Sequence, residues 1–88
     1  MGKKAKIRLL QRAKDSPGGW TRKRLDQLYK AYGFEIDTDH KEHDIAKHSR
    51  LPKNEKGTLT RSSGLIHPDY IRHAVKLIEK VLDLEKGE

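Results

Sequence analysis

The chain has 88 residues, 38% of them charged and 33% apolar, with no cysteine and a formal net charge of +7. These figures exclude disulfide stapling and thiolate metal sites, and they make a single domain, residues 1–88, with a modest core the natural expectation. No apolar run approaches the roughly 20 residues needed to cross a bilayer. The basic start is not followed by the apolar stretch of a secretory signal. A cytoplasmic protein without a membrane anchor is therefore expected.

The charge is unevenly spread. Residues 1–30 hold ten Lys/Arg against two acids, whereas residues 31–48 hold two against five. The remaining residues, 49–88, hold eight against six. A basic chain of this kind suits a polyanionic partner: nucleic acid, an acidic membrane surface or an acidic protein. The positive charge belongs to the front of the chain and the middle is locally acidic.

Residues 3–14 read as a short basic helix with Ile7 and Leu10 on one stripe and Leu9 and Ala13 beside it. Asp15-Ser16-Pro17-Gly18-Gly19 breaks it, so residues 3–19 form a basic helix and turn ahead of a core over 20–84. Trp20 follows the break. It could stack on a base, but in a chain this poor in apolar residues it reads better as a core anchor. Thr21 is an N-cap for a second helix in which Leu25, Leu28, Tyr29 and Tyr32 take the amphipathic spacing. Gly33 stands where a left-handed C-terminal cap is wanted.

Residues 34–38 alternate apolar and polar as a half-buried strand does, and 42–48 make a second strand after a connection at 39–41. A polar loop, 49–56, leads to a third strand over 57–62 with Leu59 inward. Ser63-Gly64 is a turn. Pro68 then opens a helix carrying Ile71, Ala74, Val75, Ile78, Val81 and Leu82 at helical spacing to about residue 84, with 85–88 frayed. The order helix, helix, strand, strand, strand, helix gives an α+β fold, a three-stranded antiparallel sheet with helices on one face. It resembles a double-stranded-RNA-binding-domain topology with an added N-terminal helix.

The segment Leu25-Asp26-Gln27-Leu28-Tyr29-Lys30-Ala31-Tyr32-Gly33-Phe34 followed by Lys41-Glu42-His43-Asp44-Ile45-Ala46-Lys47-His48 resembles the HicA toxins, the small partners in HicA–HicB toxin–antitoxin pairs. Their pattern is a helix ending in Gly-Phe, then Gly-Ser/Asp-His-His-x-x-x-His on the second strand. Ile66-His67-Pro68-Asp69-Tyr70-Ile71-Arg72 is similar to the opening of their last helix. The pattern's Gly, Ser and second His are here Lys41, Glu42 and Asp44, which sets two carboxylates beside the family's catalytic position, His43. The resemblance implies cleavage of mRNA by a double-stranded-RNA-binding-domain-like protein that a HicB-type antitoxin neutralises. The alternative is a module that keeps the fold and grips RNA or a protein without cleaving.

The chemistry needs no cofactor. A histidine of ordinary pKa near 6.5 can take the proton of an RNA 2′-hydroxyl, provided cations hold the phosphate. His43 is the candidate base, against the plainer reading of an exposed strand residue. Lys41 and Lys47 are local candidates for the phosphate, and His48 falls on the last histidine of the pattern. Arg22, Lys23 and Arg24 belong to the basic surface of the first two helices, a second candidate RNA contact. His40, His43 and His48 with Asp39 and Asp44 lack a diagnostic metal spacing, and strand alternation sends His43 and His48 to opposite faces. No metal site is expected. His67 and His73 read as a helix-start and a surface residue.

Overall fold

Local chemistry places each break in the chain. In the computed structural model, which describes residues 2–61 and 64–86, helix α1 spans Lys3–Asp15 and α2 spans Arg22–Ala31. Between them Gly19 takes φ +78°, and the Trp20 indole donates to the Ser16 carbonyl at 2.8 Å. That bond satisfies the indole N–H while the ring, 2% exposed, anchors the core. The Thr21 hydroxyl accepts from the Arg24 amide and starts α2. The helix ends in a Schellman motif. Gly33, at φ +84°, and Phe34 return their amides to the carbonyls of Lys30 and Tyr29. Phe34 and Tyr29 add the accompanying apolar contact, their rings 5.1 Å apart.

Strands β1 (Glu35–Asp37), β2 (Asp44–Lys47) and β3 (Gly57–Leu59) form an antiparallel sheet in the order β1-β2-β3. Ile36 pairs with Ala46, and Asp44 with Leu59. One face therefore carries Ile36, Asp44, Ala46 and Leu59, and the other Glu35, Asp37, Ile45, Lys47 and Thr58. Helices α2 and α3 (Pro68–Lys86) cover the first face, and α1 packs on both. Buried Leu25, Leu28, Ala46, Leu59, Ile71 and Ile78 belong to one continuous core. An isolated bridge between Thr21 and Leu65, with the Ile66 amide donating to the Trp20 carbonyl at 2.8 Å, ties the start of α3 to the start of α2.

The α+β class and element order are as expected, but the strands are shorter, for identifiable reasons. Phe34 lies outside β1 because its amide caps α2. His48 lies outside β2 because its carbonyl and its Nδ1 accept from Leu51 and Arg50, which turns the chain. His43 lies just before β2, and β3 stops at Leu59. Ser62 and the Ser63 half of the expected turn lie outside the described residues, as do Gly87 and Glu88. Residues 85 and 86, expected to fray, are helical. Ile7, placed on the apolar stripe of α1, is 54% exposed because Leu10 and Ala13 set the buried side.

Candidate functional site

The connection between β1 and β2, residues 38–43, carries His40, Lys41, Glu42 and His43. Its shape is set from two sides. Asp37 Oδ1 accepts from the Asp39 amide at 3.0 Å, a local turn. From beyond β3, the Arg61 guanidinium donates to the carbonyls of Thr38 and Lys41, both at 3.1 Å, and to that of His40. The same guanidinium bonds the Asp44 carboxylate, Nε to Oδ1 at 3.0 Å. One planar fork with five donors thus fastens the whole connection to the sheet.

Asp44 was expected to be one of two carboxylates flanking His43; its side chain is turned inward and is 4% exposed. Arg22 reaches it from the first turn of α2, Nη1 to Oδ2 at 2.5 Å, and also donates to the Thr60 carbonyl at 3.2 Å. The Arg22 hydrogen bond, joined by Arg61, holds the Asp44 carboxyl below the usual range against the opposing effect of burial. Two guanidiniums on one carboxylate leave the cluster with surplus positive charge. Only Glu42, exposed, remains as an acid flanking His43.

His43 is half-buried and makes no hydrogen bond or ion pair among the described residues. Lys41 is exposed, its carbonyl held by Arg61 and its ammonium without a partner among the described residues. Lys47 is turned to Asp37, Nζ to Oδ2 at 3.6 Å, and His40 Nε2 lies 3.4 Å from the same oxygen. The Asp39 amide is the largest influence lowering the Asp37 carboxyl; burial opposes it, and His40 and Lys47 add to it. These three side chains line a cleft of about 540 Å³ on the helix-free face, together with Ile45, Leu51, Pro52, Lys53, Glu55 and Lys56.

His48 takes a structural part. Its Nδ1 accepts from the Arg50 amide, so the proton of the neutral ring sits on Nε2, and its edge packs on Phe34 with centroids 5.0 Å apart. A Cβ on Gly33 would meet Nε2 at 3.3 Å. The residues proposed from the basic helices divide. Arg22 is consumed by Asp44, Arg24 lies over the Trp20 ring at 5.0 Å, and Lys23 is exposed. His67 Nδ1 accepts from the Asp69 amide at the start of α3, and His73 Nε2 bonds the Lys56 carbonyl at 2.9 Å. No three His, Asp or Glu among the described residues gather as a metal site would require.

Sequence reasoning missed Arg61 and the pairing of His40 with Asp37. The first carries no local signal, because its partners lie 17 to 23 residues away. The second had one, an Asp and a His three residues apart at the end of a strand. Compared with known proteins, the chain matches no family model, no curated protein and no solved structure.

Proposed function

We propose that the chain is a HicA-like toxin with a double-stranded-RNA-binding-domain-like topology, a cytoplasmic endoribonuclease that cleaves mRNA without metal and is neutralised by a HicB-type antitoxin. The observation that carries this reading is the contrast between His43 and its neighbour. Asp44 is buried and offset by Arg22 and Arg61, while His43 has no internal partner among the described residues and sits on a fastened connection. A base for RNA cleavage needs a free ring nitrogen and a fixed backbone, and the pairing of Asp44 leaves exposed Glu42 as the one flanking carboxylate not offset by an arginine.

In this reading the His43 imidazole takes the proton of a 2′-hydroxyl. The 2′-oxygen bonds to the adjacent phosphorus as the bond to the 5′-oxygen breaks. That oxygen leaves with a proton from solvent, and a 2′,3′-cyclic phosphate remains. Lys41 supplies positive charge toward the phosphate. Expression of the chain arrests growth, and co-expression of the antitoxin relieves the arrest. The arrest persists unchanged in a folded His43→Ala variant only if the assignment is wrong.

A second reading, RNA binding without cleavage, draws on the engagement of Lys47 by Asp37, which withdraws one of the two expected phosphate cations. It predicts salt-sensitive binding of intact RNA and no cyclic-phosphate product.

A further inference from the structure

The ten Lys/Arg of residues 1–30 separate into two groups. Five are used internally: Arg22 on Asp44, Arg24 over Trp20, Lys6 over Tyr32, Lys14 on Glu79 and Lys30 on Asp26. The side chains of Lys3, Lys4, Arg8, Arg12 and Lys23 have no partner among the described residues. Four of these five are on α1.

Within α1, Lys4, Arg8 and Arg12 recur every fourth residue. Each step advances about 6 Å along the axis and turns about 40° beyond a full circle, so the three share one side. Buried Leu10 and Ala13 fix the opposite side against the core, and α1 packs on α2 and α3. The helix therefore cannot roll to hide the stripe. Its one acid, Asp15, accepts from the Gln11 amide at 3.0 Å and lies at the far end.

We infer that the outward stripe of α1, Lys4, Arg8 and Arg12, is a contact surface for the phosphate backbone of RNA, separate from the His43 connection. The inference rests on the RNA reading above and moves the main grip away from Arg22 and Arg24, which the fold itself occupies. A membrane surface suits the stripe poorly, because the apolar side of α1 is already spent on the core. A protein partner suits it poorly too, because protein interfaces are anchored by aromatic and apolar side chains at their centre. Ile7 is the only large apolar residue exposed on α1. A regular row of single-sign charge matches a backbone that repeats one negative charge per nucleotide.

The test measures binding of the full chain to a single-stranded 2′-O-methyl RNA oligonucleotide, which has no 2′-hydroxyl to react, from 50 to 200 mM salt. Two neutralised phosphates contribute a slope of about 1.4 in log affinity against log salt, so Arg8→Gln/Arg12→Gln should reduce the loss of affinity over this range about sevenfold. Arg8→Lys/Arg12→Lys keeps the wild-type slope, since the contact is one of charge. Lys76→Gln/Lys86→Gln, an equal loss of charge from α3, also keeps it. All three pairs are solvent-exposed and should melt with the wild type. The inference is overturned if the wild type binds and Arg8→Gln/Arg12→Gln leaves the slope unchanged, the result a protein-binding stripe would give. It is equally overturned if the α3 pair lowers the slope as much. Absence of any RNA binding by the wild type would sink the RNA reading itself, and the stripe with it.

Discussion

Gly57 and Tyr29 show how closely this small core is fitted. A Cβ at Gly57 would overlap the Tyr29 hydroxyl and ring, which are fully buried beneath β3. Gly57→Ala should therefore cost about 1–3 kcal/mol, the usual range for overpacking, read from urea unfolding. The Tyr29 hydroxyl has no hydrogen-bond partner among the described residues, and burial pushes its pKa well up. Tyr29→Phe should accordingly leave stability within about 0.5 kcal/mol of wild type or raise it, since no hydrogen bond is lost. A larger loss would mean that the hydroxyl is satisfied in solution. At this scale the sequence was partly readable. Tyr29 fell on the apolar stripe, but its hydroxyl and the need for glycine opposite it belong to a contact 28 residues away.

At the scale of elements, the fastening of the β1–β2 connection is the most consequential feature. Arg61 joins three backbone carbonyls to Asp44, and Arg22 joins Asp44 to α2. Arg61→Gln should speed amide exchange across residues 38–43 while leaving α3 protected. The carboxyls of Asp44 and Asp37 are both lowered in the folded chain. Their stabilisation is complete above the ordinary Asp value near 3.9, and it is lost as pH falls through the lower folded values. Melting temperature should fall on acidification below about pH 4, and it should fall less steeply in Asp44→Asn. The helices were legible because their signals are local: Thr21, Gly33 and Pro68 each occupy the capping position their chemistry favours. The strands were legible as alternation but not in their limits. Phe34 and His48 leave the sheet for bonds to a helix end and a turn, which alternation does not encode. The burial of Asp44 was not legible for the same reason: its inward turn depends on arginines 22 residues before it and 17 after.

The whole molecule joins a basic helical layer to a sheet whose uncovered face carries the cleft, with the His43 connection at one end of the central strand. No helix among the described residues is long and apolar enough to cross a membrane. The charge contrast seen along the sequence persists in space but changes meaning. Of the two acids flanking His43, Asp44 is buried with two arginines and Glu42 is exposed, and four cations without a partner among the described residues lie together on α1. The fold depends on one core, so Leu25→Ala, at a fully buried position of α2, should cost about 2–5 kcal/mol and weaken every surface together. The most direct measurement is cleavage of a single-stranded RNA by the purified chain in the presence of a metal chelator, beside His43→Ala of equal melting temperature. The account predicts a 2′,3′-cyclic phosphate product from the wild type and its loss in the variant. Equal cleavage by both, or none by either, would contradict it.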